Sequence, residues 1–450
     1  MVMQKTLSAT DHEAVEQISS LHEEPAWLRQ RRLTAWRFYE ELPLPTGKEE
    51  EWRRTDVGAL SLDGLTLFAP AAPSPRLPGG LREGRNGYGG QIVQRDSQIV
   101  FQEMRPELAH QGVVFTDLHS AAHRHPKLIQ RYFMTEAVLP AEWKYVALHA
   151  ALWSGGAFLY VPAGVEVSLP LRYAVGVGGA GSGVFPHLLI VAEAGSSVTC
   201  IDEQLSPTRR GPGFSSAVVE IIVREGARVR YVGVQGWGKN VNSFLTLRAI
   251  LDKDSRLHLA TVGLGGRASK AKIEAILRAP GAGAEIAGLT LADGDQRFDY
   301  STLQDHIAPN TTSELLFKSA MRDKARFAWY GLTRVHKGAG GSDANQESRS
   351  LLLGDEARAM PMPVLEIEAY DVARCSHGAT VSSVDEEQLF YVMSRGLPRQ
   401  EAAQAIVEGF FRQGLERLGS DGLRRGIVRA LQRKLASGRE GEGRRHDAGR

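Results

Sequence analysis

The chain has 450 residues, 24 % of them charged and 42 % hydrophobic, proportions of a globular protein with room for two or three structural units. A formal net charge of +2 excludes a general electrostatic pull toward nucleic acid or an anionic membrane, and no run of about 18 apolar residues is present to span a bilayer. Two cysteines, Cys200 and Cys375, exclude both a disulfide framework and the four thiolates of an iron–sulfur site held by this chain alone; with no secretory pattern at the start, the expectation is a cytoplasmic protein.

Residues 10–40 carry apolar side chains three and four apart, among them Trp27, Leu28, Ala35, Trp36 and Tyr39, which predicts a helix. Pro43 and Pro45 stop it, because proline disfavours the helical conformation at the residue before it. Glu51-Trp52-Arg53-Arg54-Thr55 follows, and the pattern reads as a helical packing domain over 1–66. Residues 68–90 are rich in Pro and Gly and read as a linker. Within 67–144, short strands are expected near 99–101 and 113–115, and a helix over 117–133 interrupted at Pro126.

From Tyr145 the helical period gives way to short runs rich in Val, Ile and Leu that continue to about 384. A turn followed by an alternating strand recurs at Gly164, Gly195, Gly226, Asp254 and Gly283, with spacings of 31, 31, 28 and 29 residues. Each unit carries one strand before the turn and one after it, and 322–327 and 354–358 look like later turns. A period near 30 suggests the coils of a β-helix over 145–384. A large antiparallel β-sandwich is the rival, and the regular spacing favours the solenoid. The high glycine count, 48, agrees with many tight turns.

The C-terminal region 385–436 reads as helical. Ser383-Val-Asp-Glu386 matches a capping box, Gly396 closes a first helix and Pro398 opens a second. Ala402, Ile406 and Phe410, with Ala403, Val407 and Phe411, line one face wide enough to receive a partner. A third helix is expected over 422–435. Residues 437–450 form a Gly- and Arg-rich tail expected to be flexible.

Several motifs bear on chemistry. Gly176–Gly181 matches GxGxxG, but a strand rather than a helix is expected after it, so the dinucleotide reading fails. No GxxxxGK[ST] occurs. Cys375 and His377 are two apart, which on a strand puts both side chains on one face, and thiolate with imidazole suits zinc or iron. The plainer alternative is a buried cysteine beside a hydrogen-bonded histidine, which spacing alone favours; two ligands also fall short of a closed site. Residues 305–313, His336-Lys337 and Asn345-Gln346 are polar runs that fit either functional loops or turns. Cys200 reads as core.

These residues carry a resemblance. Cys375-Ser-His-Gly-Ala-Thr380, Asp385-Glu-Glu-Gln-Leu-Phe-Tyr391, Ser394-Arg-Gly396, His306-Ile-Ala-Pro309 and Asn345-Gln346 resemble the SufB/SufD family of iron–sulfur cluster assembly proteins over nearly the whole chain. Glu51–Thr55 after Pro43-Leu-Pro45 resembles the SufD branch. The resemblance implies a right-handed parallel β-helix flanked by N- and C-terminal helical domains. It implies a non-catalytic scaffold in a cytoplasmic complex with a SufB-like paralogue and the ATPase SufC, served indirectly by a cysteine desulfurase system, with neither nucleic acid nor membrane as partner. His377, with Cys375 as a second candidate, would ligate a transient cluster completed by the paralogue. Glu386, Phe390, Tyr391, Arg395, Ile406, Phe410 and Phe411 would meet SufC. The essential cysteine of SufB falls near Ser348, which supports the SufD branch. A flavin on the complex is compatible with the resemblance, and this chain alone is expected to hold no cofactor. The rival functions are a β-helix enzyme acting on polysaccharide and a metal-free homodimeric interaction protein.

Overall fold

The structure, a computed structural model, describes residues 12–55, 62, 65–66, 87–178, 181–419 and 421–436. The Pro/Gly-rich linker up to residue 86 and the tail 437–450 lie outside the described residues. Helices α1 (His12–Leu21) and α2 (Ala26–Glu41) open the described chain. They replace the single helix expected over 10–40, because Glu23 adopts φ +49° and Pro25 cannot continue a helix. Hairpin β1 (Gly90–Arg95) and β2 (Gln98–Met104) precedes α3 (Pro106–His110), β3 (Val114–Asp117), α4 (Leu118–Arg124) and α5 (Pro126–Tyr132), the last two parted at Pro126 as expected. Residues 144–152 are helical (α6, Lys144–Leu152), against the expected loss of helix from 145. All of α6 beyond Lys144 is buried, so its apolar run carries no amphipathic period to be read.

Strands then alternate between two sheets, save that β6 pairs with β9 in the same sheet as β7: β4 (Ala157–Val161), β5 (Leu171–Gly176), β6 (Gly183–Val184), β7 (His187–Ala192), β8 (Ser197–Leu205), β9 (Gly213–Val223), β10 (Arg228–Gly236), β11 (Val241–Leu251) and β12 (Arg256–Gly263). They continue as β13 (Ala268–Leu277), β14 (Gly283–Ala292), β15 (Arg297–His306), β16 (Thr312–Met321), β17 (Arg326–Val335), β18 (Asp343–Leu352), β19 (Arg358–Ile367) and β20 (Arg374–Ser383). The first sheet runs β2-β1-β5-β8-β10-β12-β14-β16-β18-β20 and the second β19-β17-β15-β13-β11-β9-β7-β4-β3. Every pairing is parallel except β1–β2 and β3–β4. The chain is a mainly β, two-sheeted solenoid of about eight turns with helices at both ends of the sequence.

One corner explains the repeat. Gly164, Gly195, Gly226, Asp254, Gly281, Asn310 and Gly341 all adopt left-handed φ between +55° and +73°. Each donates its N–H to a carbonyl one coil further on: Ala194, Glu225, Lys253, Pro280, Pro309, Gly340 and Asp371. Glycine, Asn and Asp are the residues that tolerate this conformation, so they punctuate the sequence. The fifth turn is therefore centred on Gly281; Gly283, expected there, begins β14. The turns near 322 and 354 belong to the opposite corner, with Gly294, whose N–H donates to Asp323 Oδ2 at 2.8 Å.

Between the sheets, Val198, Leu257, Ile273, Ile286 and Leu315 form one apolar core, each such side chain contributing about 1.5–3 kcal/mol on burial. Aromatic rings fill its later coils: Tyr300 meets Phe317 and Phe327 edge-on at 6.3 and 5.8 Å, and Phe317 stacks on Trp329 at 6.0 Å. The N-terminal helices cover the outer face of the second sheet around β9, which is buried throughout. There Trp52 packs on Trp143 and Tyr145, Lys272 pairs with Glu51 at 3.2 Å, and Lys270 donates to the Glu51 carbonyl. Arg32, buried over the Trp153 ring, pairs with Glu24 at 2.7 Å.

After β20 come α7 (Glu386–Met393), α8 (Arg399–Glu416) and α9 (Asp421–Ala436). Asp385 alone caps α7, accepting the Glu387 N–H at 2.9 Å; Ser383, expected in a capping box, is the last residue of β20. Helices α8 and α9 lie on the outer face of the first sheet, where Val407, Phe411 and Ile427 pack with Val232, Val262 and Leu289. Gly414 permits this approach, since a Cβ there would stand 2.4 Å from Leu289 Cδ2.

Candidate functional site

The two ends of the solenoid differ. At one end, the terminal strands β2 and β3 join their sheets by antiparallel pairing, and α4 packs against β3. At the other, β19 and β20 are both terminal strands with no neighbour on their outer side among the described residues. The last coil is correspondingly exposed: Met360 is 44 % accessible, Ile367 and Val381 43 % each, and Tyr370, at the corner between the two strands, 95 %.

The open backbone edges are unequal. Arg358 and Glu368 donate their N–H groups to β17, so the odd-numbered residues of β19 turn theirs outward. Two of those are Pro361 and Pro363, which have no N–H, and proline of this kind blunts an edge strand. On β20, Arg374 and Val384 donate toward β18. Cys375, His377, Ala379, Val381 and Ser383 thus turn an unbroken row of donors and acceptors outward.

Cys375 and His377 lie on this strand. Register pairs them with Ala344 and Gln346, both fully buried, so their side chains point along the solenoid interior and are exposed only because no further coil covers them. Cys375 is half-buried against Val335, Ala339, Ala369 and Val372, and burial pushes its thiol pKa up; His377 is exposed. The pair shares one face as its spacing requires. Among the described residues no group of three or more His, Cys, Asp or Glu side chains is placed to hold a metal ion. Beneath them, Gln346 donates to the Val364 carbonyl at 2.9 Å, tying the sheets together, and Ser348 is buried below Ala379. On the outer face Ser376 donates to Asn345 at 2.8 Å, Asn345 to Glu314 at 3.0 Å, and Arg374 pairs with Asp343 at 2.7 Å.

The second group of expected residues divides. On α7, Phe390 is 73 % and Tyr391 59 % accessible, Arg395 donates to the Tyr391 hydroxyl at 2.9 Å, and Glu386 pairs with Arg399 at 2.8 Å in solvent. Ile406 and Phe410 on α8 are half-buried, and the Phe410 carbonyl accepts from Lys318 at 2.8 Å. Phe411 has no accessible surface: it faces the chain's own first sheet, which removes it from any surface open to a partner while α8 is docked. The wide apolar face read from the sequence is mostly internal packing, because a partner surface and a docking surface share one helical period.

The remaining polar runs are structural. His306 is buried at the end of β15, bonded to Thr311 Oγ1 at 2.8 Å and Ser313 Oγ at 2.7 Å, and burial lowers its pKa to about 4. His336 pairs with Asp305 at 2.8 Å. Cys200 is fully buried in the core and burial pushes its thiol pKa far up. After Gly176–Gly178 the chain resumes in strands β6 and β7, as the rejected dinucleotide motif required; residues 179–180 lie outside the described ones. Sequence reasoning missed Tyr370 and the two prolines of β19, although Pro-x-Pro within a strand was a readable signal of an edge.

A parallel β-solenoid whose last strand is an unpaired edge carrying Cys-x-His defines the class of protein. Residues 175–410 match the profile of the SufBD core domain of the SUF system for iron–sulfur cluster assembly, and residues 94–173 that of the SufBD N-terminal region. The chain is 31 % identical to the iron–sulfur cluster assembly protein SufD of Bacillus subtilis over 96 % of its own length and 99 % of that protein. It is also 31 % identical to SufB of the same organism, over 88 % and 87 %, and to a SufBD family protein of Staphylococcus saprophyticus over the same shares. The chain belongs to the SufB/SufD family of iron–sulfur cluster assembly proteins.

Proposed function

We propose that this chain is the SufD-type scaffold subunit of a cytoplasmic SUF complex, itself non-catalytic, that pairs its open solenoid end with a SufB-like paralogue. The observation that carries the reading is the terminal strand β20, which offers an unpaired backbone edge and the Cys375–His377 pair together. An isolated edge of this kind recruits another strand, and a partner seated there would meet both side chains. His377, exposed and carrying an imidazole of the kind that ligates iron, supplies one ligand to the nascent cluster; Cys375 is the second candidate, and the paralogue supplies the rest. The cluster is cargo, formed at the junction and passed on. The exposed side chains Phe390 and Tyr391 of α7 and Arg395 just beyond it form the contact for the ATPase SufC, and the short link between β20 and α7 carries its motion to the paired edges.

Co-expression with a SufB-like paralogue and SufC tests the reading. The His377→Ala chain should purify in the same complex with the same subunit ratio but with reduced iron and acid-labile sulfide. Unchanged iron and sulfide refutes the role of His377; failure of the unaltered chain to co-purify with the paralogue refutes the scaffold reading itself.

A further inference from the structure

Three titratable side chains with no accessible surface lie in a row where the N-terminal helices meet the solenoid: His149 of α6, His187 of β7 and Glu220 of β9. Their hydrogen bonds fix the protons. His149 Nδ1 stands 2.9 Å from the Ser216 carbonyl, which can only accept, so this nitrogen carries a proton. In a neutral imidazole the other nitrogen, Nε2, then accepts, and its neighbour at 3.1 Å, His187 Nδ1, donates. His187 Nε2 faces Glu220 Oε1 at 3.1 Å, and one proton must lie between them. Without it two lone pairs would face each other in a site closed to water, at the full cost of an unsatisfied buried group. With the proton on either atom the row is neutral. Glu220 also accepts the backbone N–H of Met134 at 2.8 Å and of Val138 at 3.1 Å, and the Phe133 ring lies 4.5 Å from the His187 ring. The row thereby holds α6 and the 133–138 segment on the second sheet.

Charged groups around it are already engaged. Arg248 of β11 pairs with Glu142, ahead of α6, and with Glu274 of β13. On α2, Arg31 donates to the carbonyls of Phe133 and Gln130, and Arg32 pairs with Glu24. None of these cations makes a hydrogen bond to the row.

We infer that His149, His187 and Glu220 form a net-neutral buried latch whose single shared proton holds the N-terminal helical layer on the solenoid, so that gain or loss of a proton releases that layer while the coils stay folded. The direction follows from linkage. Burial raises the Glu220 pKa to about 8 and lowers that of His187 to about 3, and His149 is lowered in the same sense. An acid whose pKa is raised on closing stabilises the closed form most below its open-state value, near 4.5, and loses that contribution as pH rises to about 8. Histidines whose pKa is depressed stabilise it above their open-state value, near 6.5, and lose that contribution as pH falls. Two histidines outweigh one carboxyl on the acid side, so the latch is tightest near pH 6.5.

Hydrogen exchange of the full chain between pH 5 and 9, corrected for the intrinsic exchange rate, reads the latch at the Met134 and Val138 amides, with β13–β15 as internal reference. Protection there should be greatest near pH 6.5, fall about tenfold per unit toward pH 8 and level off above it, and fall again on the acid side, while β13–β15 stay protected. Glu220→Gln should abolish the fall between pH 6.5 and 8 and keep the acid arm. Flat corrected protection in the unaltered chain, or an alkaline fall that survives in Glu220→Gln, overturns the inference. Should the variant fail to fold, infrared difference spectra of the unaltered chain decide. A protonated-carboxyl band present at pH 7 and lost above pH 8 upholds the shared proton, and its absence overturns it.

Discussion

Two phenylalanines, Phe411 on α8 and Phe390 on α7, give a sharp test of which C-terminal residues hold the chain together and which are left for a partner. Phe411 is fully buried between α8 and the first sheet, with Val407 and Leu415 on its own helix and Val232, Val262 and Leu289 beneath. Truncating such a ring removes its transfer energy and leaves a cavity, about 3–5 kcal/mol in all. At about 1.4 kcal/mol per tenfold change, Phe411→Ala should lower the hydrogen-exchange protection of α8 and α9 by about two to three and a half orders of magnitude. Phe390, 73 % accessible, has little to lose: Phe390→Ala should change stability by no more than about 0.5 kcal/mol, yet reduce capture of SufC by the otherwise intact chain. Exchange of α8 and α9 amides, a thermal melt of each variant and a pull-down with SufC together decide. Unchanged α8 protection in Phe411→Ala refutes the assignment of that ring to the core. Full SufC capture by Phe390→Ala refutes the assignment of α7 to the partner surface.

His306 has its pKa lowered to about 4 by burial, so it stabilises the fold above about pH 6.5 and loses that contribution as pH falls toward 4. Between pH 7.5 and 5 it should cost about 2 kcal/mol, and His306→Gln, compared by urea midpoints at both values, should show a pH dependence flatter by that amount; an equal slope refutes it. Ala379→Pro removes one outward N–H from the open edge of β20 without touching its bonds to β18. The isolated chain should keep its melting temperature within about 3 °C, and co-purification with the SufB-like paralogue should fall. Undiminished co-purification shows that the edge is not used.

The solenoid was legible because its corner makes a chemical demand. A left-handed residue every coil restricts the choice to Gly, Asn or Asp, and Gly164, Gly195, Gly226 and Asp254 were recognisable for that reason. Gly281 is masked in the sequence because Gly283 stands two residues on and nothing local distinguishes them. Helix α6 was missed for the opposite cause: buried on every side, Lys144–Leu152 has no polar face to set a period. The Cys375–His377 pair was readable as two side chains on one strand face, but its position on the last strand depends on how many coils the chain completes. The latch of His149, His187 and Glu220 left no trace in the sequence, because its members are 38 and 33 residues apart and meet only when three elements pack. The wide face of α8 was visible, but not what it faces.

The inequality of the two open edges bears on how a second chain would approach. A solenoid could end with both sheets equally ready to pair, and it would then invite open-ended stacking. Here β19 turns Pro361 and Pro363 outward and has lost two donors, while its neighbour keeps every one. Backbone pairing is thereby directed to β20, and β19 is left to contribute side chains such as Met360 and Ile367. The exposed apolar surface of the last coil is a standing liability for a chain on its own, and Tyr370 at the corner adds to it. The proline pair limits that liability on one sheet without closing the other. What stays open is the strand on which a thiol and an imidazole point outward along the solenoid interior. The edge that a second chain could pair with and the Cys375–His377 pair are therefore carried by the same ten residues, so that a strand added there would meet both side chains.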